Sequence, residues 1–296
     1  MDRTKIGAGL TAAVLFLCGC SRPGANRTVI VGSKNFTEQV VLGEIIAQHL
    51  EHRLHHRVQR RLNLGGTLLA HQALLSGQID LYPEYTGTAL EAILKDSATP
   101  ADAARALAFV RSEYRRRFQA EWLDPLGIDN GFAIVVRGPD ARRRHLETLT
   151  DAAAVSKPWS LGAGYEFEQR PDGLAALKSA YRLRLAAAPQ SMDLGLLYWA
   201  LEQNRVDMIA ANQTDGLLSK LDLKVLADDR HAFPPYQVSI VARQSSLARF
   251  PGLDAALRDL SGKFTNQTMQ KLNYRVDVLH QTAVEVAAGF LKQNGM

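Results

Sequence analysis

Thr28-Val29-Ile30-Val31-Gly32-Ser33 opens the stretch that decides the fold. A β-branched run ending in glycine reads as a short strand that delivers a loop at its carboxyl end. Phe36 to Arg53 follows, with Val40, Val41, Ile45, Ile46 and Leu50 near helical spacing. Val58 to Leu64 reads as a second strand, Gly65-Gly66-Thr67 as a turn, and Leu68 to Ser76 as a helix. Ile79-Asp80-Leu81-Tyr82-Pro83 is a third strand. Strand, helix, strand, helix, strand builds an open parallel sheet with helices on its faces. Such sheets bind ligands in the crevice beyond the carboxyl ends of their strands. The loop Ser33 to Glu38 and the segment Glu84-Tyr85-Thr86 both fall there.

Working outward, Phe132-Ala133-Ile134-Val135-Val136 begins a second αβ unit, and Trp159 to Ala163 and Val206 to Ala210 are further strands. Tyr236 to Arg243 echoes Phe132 to Arg137: an aromatic, a β-branched run, then arginine. The pair predicts two strands that carry the chain to a second lobe and back. Residues 28–131 and 237–296 then form lobe 1, and 132–236 form lobe 2. Leu253 to Leu291 is helical in pattern and closes the first lobe. A chain of 296 residues suits two domains.

Ahead of this body, Arg3 and Lys5 precede an apolar run from Ile6 to Cys18, too short at about 1.5 Å per residue to cross a bilayer of roughly 30 Å. That is the pattern of a cleaved secretory signal, here residues 1–19. Leu17-Cys18-Gly19-Cys20-Ser21 resembles the lipobox of bacterial lipoproteins, in which the cysteine at the cut, here Cys20, receives the lipid. Cys18 departs mildly from the small residue usual at its place. Residues 20–27, through Ser21-Arg22-Pro23-Gly24, read as a tether of turn formers and charge. The chain is expected outside the cytoplasm, lipid-anchored, on the periplasmic side in a Gram-negative cell. Cys18 and Cys20 are the only cysteines, which excludes a disulfide framework or thiolate metal cluster in the body.

The net charge of +5 is scattered, without the basic stripe interleaved with aromatics that nucleic acid requires. Gly32-Ser33-Lys34 lacks the upstream glycine of a phosphate loop, and neither His-Glu-x-x-His nor Gly-x-Ser-x-Gly occurs. His49, His52 and His56 share a helix face, but among Glu51, Arg53 and Arg57 they read as an exposed polar surface. No catalytic residue, metal ligand or cofactor is expected, and the chain is read as a binding protein rather than an enzyme.

The residues Gly32-Ser33-Lys34-Asn35-Phe36-Thr37-Glu38-Gln39, Asn63-Leu64-Gly65-Gly66-Thr67, Asp80-Leu81-Tyr82-Pro83-Glu84-Tyr85-Thr86-Gly87-Thr88, Arg170-Pro171-Asp172-Gly173, Thr214-Asp215-Gly216 and Phe233-Pro234-Pro235-Tyr236 occur in one order. With them the chain resembles the substrate-binding lipoproteins of osmoprotectant ABC importers, which take glycine betaine, choline or carnitine. The resemblance covers nearly all of the chain after the signal. It implies an α/β, two-lobed periplasmic-binding-protein fold, type II-like, with two crossover strands at the hinge. It also implies a monomer that delivers a small zwitterion or quaternary amine to permease subunits in the membrane.

A quaternary ammonium cannot donate a hydrogen bond, so aromatic faces must attract it. A ligand carboxylate instead seeks a guanidinium. By the resemblance, the cage falls at Tyr85, Phe132, Asn212 and Tyr236, the carboxylate partner at Arg170, and polar neighbours at Lys34, Thr88 and Asn130. Phe132 and Asn212 stand where the family has tyrosine, so one wall of the cage is missing. Tyr198 or Trp199 would be its substitutes, though both read first as core residues of lobe 2, as Tyr82 and Tyr165 read as structural. Asn212 keeps open a different, amino-acid-like zwitterion as ligand. A sensory lipoprotein that binds without transport is the other alternative.

Overall fold

The computed structural model describes residues 28–95 and 102–296. The signal, the tether and Cys20 lie outside them. Among the described residues the strands are β1 (Val29–Gly32), β2 (Val58–Arg61), β3 (Leu81–Tyr85), β4 (Ala120–Trp122), β5 (Phe132–Arg137), β6 (Leu161–Ala163), β7 (Gln190–Ser191), β8 (Met208–Asn212), β9 (Leu223–Leu226) and β10 (Val238–Arg243). They form two sheets, ordered β2-β1-β3-β10-β4 and β7-β6-β8-β5-β9.

Neither sheet is wholly parallel, which corrects the expectation for the first. β1 runs parallel to β2 and β3, whereas β10 is antiparallel to β3 and β4. The second sheet repeats the scheme: β6 is parallel to β7 and β8, and β5 is antiparallel to β8 and β9. The reason is where the chain enters. Val238, the first residue of β10, pairs with Tyr85, the last of β3, and Phe132, the first of β5, pairs with Asn212, the last of β8. A chain arriving from the other sheet starts at the crevice edge and must run away from it, against strands that end there. The echo between 132–137 and 238–243 is thus one of topological place. Each strand lies within one sheet, and the crossings fall between β4 and β5 and between β9 and β10.

The crossings lie side by side. Asp129 bridges Gln237, Val238 N–H donates to Ile128 O at 3.0 Å, and Asn130 N–H donates to Tyr236 O at 3.1 Å.

Burial follows the pleat. Ile134 and Val136 face a core with Leu161, Phe167, Leu177 and Tyr181, while Ala133 and Val135 face Leu197, Tyr198 and Leu201. A strand buried on both faces reads as an unbroken apolar run, and β5 does. The first sheet is sandwiched likewise. On one face the helix Thr37–Leu54 packs with Leu253, Phe290 and Leu291 from the C-terminal helices; on the other lie Leu74, Tyr82, Leu90, Val110, Tyr114 and Trp122.

Two expectations from single residues need correction. His49 is buried, its Nε2 2.9 Å from Ala256 O, because the helix Leu253–Arg258 covers that side; His52 and His56 are exposed. Tyr165 is 71% exposed, while Tyr82 is wholly buried with its hydroxyl donating to Glu84. No helix among the described residues is long and apolar enough to cross a membrane.

Candidate functional site

β1 and β3 end at the boundary between the two sheets, and the residues that follow them meet there. Lys34 is buried; its ammonium donates to Glu84 Oε1 at 2.5 Å and to Thr67 Oγ1 at 3.1 Å, and lies 5.0 Å from the Tyr85 ring centre. The Tyr85 hydroxyl donates to Glu38 Oε1 at 2.7 Å and accepts from Gln39 Nε2 at 3.1 Å. Glu38 also accepts from Asn130 Nδ2 at 2.9 Å and from the Thr214 hydroxyl, which comes from the second sheet's side. Burial pushes the Glu38 carboxyl above its ordinary range against these donors.

The second group centres on Arg170. Pro171-Asp172-Gly173 folds the chain back tightly: a Cβ at Gly173 would lie 2.1 Å from Phe167 O, so only glycine fits. This return places Asp172 on the guanidinium. Arg170 Nε donates to Asp172 Oδ1 at 2.9 Å, and Nη2 donates to Oδ2. Nη1 reaches across to Thr88 Oγ1 at 3.0 Å. The Tyr236 hydroxyl donates to Asp172 Oδ2. The guanidinium carbon sits 5.2 Å from the Phe132 ring centre and 5.7 Å from that of Tyr236. Phe132 in turn meets Tyr236, Phe167 and Phe233 edge to face, at 5.6, 4.9 and 5.8 Å. Tyr236 lies directly on Gly87, where a Cβ would come within 2.7 Å of its ring.

Asn212 faces Phe132 across the ladder. Its backbone N–H donates to Asp215 Oδ2 at 3.1 Å, and that oxygen also accepts from the Tyr198 hydroxyl at 2.9 Å. Burial pushes the Asp215 carboxyl up to about 6. Tyr198 therefore packs in the core behind the strand, while Trp199 is 55% exposed on the same helix.

All eight residues expected at the site thus adjoin one another or share a partner at the boundary between the sheets. Reading the sequence alone left out their partners. Glu38, Glu84, Asp172 and Thr214 stand inside the quoted motifs, yet nothing in a motif says which charge meets which. Glu166 was missed entirely. Its carboxylate accepts from Thr67 N–H at 2.7 Å and Thr67 Oγ1 at 3.1 Å, from the opposite lobe, and lies 3.6 Å from Arg170 Nη1.

Comparisons with known proteins agree with this architecture. The profile of the family described as the substrate binding domain of the ABC-type glycine betaine transport system matches residues 27–293. The carnitine transport binding protein OpuCC of Listeria monocytogenes is 34% identical over 291 residues, covering 96% of this chain and 94% of that protein. The glycine-betaine-binding protein of Pseudomonas aeruginosa is 33% identical, covering 99% of this chain and 96% of that protein. The ergothioneine transport permease/ergothioneine binding protein EgtU of Helicobacter pylori is 34% identical over 91% of this chain, which spans only 48% of that protein. Among solved structures, a glycine betaine/carnitine/choline ABC transporter chain superposes with a TM-score of 0.76 at 31% identity, covering 90% of this chain and 98% of that one. Ligand-free YehZ from Escherichia coli superposes with a TM-score of 0.69 at 32% identity, covering 90% and 99%. A two-sheet α/β chain whose crossings flank a cluster of aromatic and charged residues, matched along nearly its whole length, belongs to the substrate-binding domains of ABC-type glycine betaine transport systems.

Proposed function

We propose that this protein captures a quaternary ammonium solute of the glycine betaine, carnitine or choline type between its lobes and presents it to the permease of an ABC importer. The observation that carries this reading is the Arg170 guanidinium held over the faces of Phe132 and Tyr236. Two rings at the lobe boundary already stabilise a cation, and Tyr85 pairs with Val238, two residues beyond Tyr236. A trimethylammonium head is attracted to such faces by about 0.5–2 kcal/mol each. Ligand contacts to both lobes favour the closed arrangement, which the permease reads. Eight residues take part: Lys34, Tyr85, Thr88, Asn130, Phe132, Arg170, Asn212 and Tyr236. Binding, not bond chemistry, is their task, and one copy of the chain suffices for it.

Calorimetry and thermal shift against glycine betaine, choline, carnitine, ergothioneine and common amino acids test the assignment. Ligand at 100 times its Kd should stabilise the protein by about 2.7 kcal/mol. Heat with none of the quaternary amines would overturn it. Asn212 supports a second reading, an amino-acid-like zwitterion, because its amide offers hydrogen bonds that a quaternary head cannot use; heat with an amino acid alone would establish that reading.

The protein acts outside the cytoplasm, and we propose a lipid anchor at Cys20 after removal of residues 1–19. Cys20→Ala should shift it from the membrane fraction to the soluble one or leave it uncleaved. Wild-type protein recovered wholly as soluble, with Cys20 unmodified, would refute the anchor.

A further inference from the structure

Charge in the crevice is already matched from within. Lys34 has Glu84 at 2.5 Å, and both side chains are buried to within 3%. Arg170 has Asp172 on its Nε and Nη2 edge, with that carboxylate 2% exposed. Each site cation thus has its own acid. What remains of the guanidinium is Nη1, which donates to Thr88 and faces Glu166 at 3.6 Å.

Glu166 stands in the one corner where the two cations converge. Thr67 Oγ1 accepts from Lys34 Nζ at 3.1 Å and donates to Glu166 Oε2 at 3.1 Å, while Thr67 N–H donates to Oε1 at 2.7 Å. Burial opposes ionisation of Glu166, but the charge of Lys34, the Thr67 N–H and the charge of Arg170 outweigh it and hold the carboxyl below its ordinary range. The group is a carboxylate at neutral pH. It touches Thr67 and Arg170 and feels Lys34, the partners that a ligand carboxylate would seek.

We propose that Glu166 is a specificity-determining residue: its carboxylate fills the corner between Lys34, Thr67 and Arg170, so the crevice selects quaternary ammonium cations that carry no carboxylate over betaine-like zwitterions. This rests on the quaternary ammonium reading above and names the class within it. Two carboxylates cannot share that corner without strong repulsion in a partly buried setting. A choline-type cation brings no such conflict, and its charge is welcomed by the excess of acids over bases: Glu84, Glu166 and Asp172 against Lys34 and Arg170.

The test is calorimetry of the purified protein, with Glu166→Gln and Glu166→Ala beside it, against choline and glycine betaine. Glutamine keeps an acceptor for Thr67 N–H and removes the charge; alanine also opens the corner. Wild-type protein should bind choline at least about tenfold more tightly than betaine, and each substitution should narrow that ratio by about tenfold by strengthening betaine. A ratio unchanged in both variants would show that Glu166 only ties the lobes together, and would overturn the proposal alone. Wild-type preference for betaine would overturn it as well. Binding of neither ligand by any of the three proteins would overturn the proposal, and the quaternary ammonium reading falls with it if carnitine and ergothioneine also give no heat.

Discussion

Arg170, proposed above as a ligand-binding residue, also bears on folding. Its side chain is 10% exposed and its bidentate partner Asp172 only 2%, so the pair is effectively interior. Removing one member of a buried pair strands the other as an uncompensated charge, at about 3–5 kcal/mol. Arg170→Ala should therefore lower the stability of the ligand-free protein by that amount, read from its urea midpoint at constant m-value. An arginine kept only for ligand would leave that midpoint unmoved. Within the Arg170-Pro171-Asp172-Gly173 motif, arginine beside a turn was plain in the sequence. That Asp172 claims its charge was not, because only the folded-back path of the chain turns the carboxylate onto the guanidinium.

At the scale of elements, that path depends on the segment joining the helix Tyr165–Gln169 to the helix Ala176–Tyr181. Gly173 has φ −101° and ψ −117° within otherwise helical backbone, and its missing Cβ leaves room for Phe167 O. The atom in the way belongs to backbone, which cannot swing aside as a side-chain end would. Gly173→Ala should cost about 1–3 kcal/mol and also weaken ligand binding by displacing Asp172 and Arg170. Denaturation together with calorimetry checks both; an unchanged midpoint and Kd would show the segment relaxing freely. A larger lesson of the same scale is strand direction. The apolar runs at 132–137 and 238–243 were legible, and their ends fell within two residues of expectation. Their antiparallel setting was not, since direction depends on which side of the crevice the chain enters from.

Across the whole molecule, buried acids link folding to pH. Asp215 sits beneath Asn212, bonded by Tyr198, with Glu38 as a neighbouring negative charge, and titrates near 6 instead of 3.8. The folded state therefore holds its proton more tightly than the unfolded chain. Its stabilising contribution is complete below about pH 3.8 and is lost as pH rises through about 6. Glu38, raised by burial, acts in the same direction. Asp215→Asn should flatten the loss of stability across that window by on the order of 1–3 kcal/mol, measured by urea unfolding at pH 4.5 and 7. Identical slopes for both proteins would count against the buried-acid account.

By itself the sequence determined the αβ alternation, the two equivalent strands after the crossings and the helical C-terminal closure, and it marked the residues proposed for the site. Those readings rest on local causes, namely side-chain period, turn residues and the chemistry of single residue types. Tertiary structure alone decided that His49 is interior, that β10 and β5 run against their neighbours, and which charges meet: Lys34 with Glu84 fifty positions away, and Thr67 with Glu166 ninety-nine away. Charge compensation depends on distance in space, and the chain brings remote residues together only when both sheets and their crossings are in place.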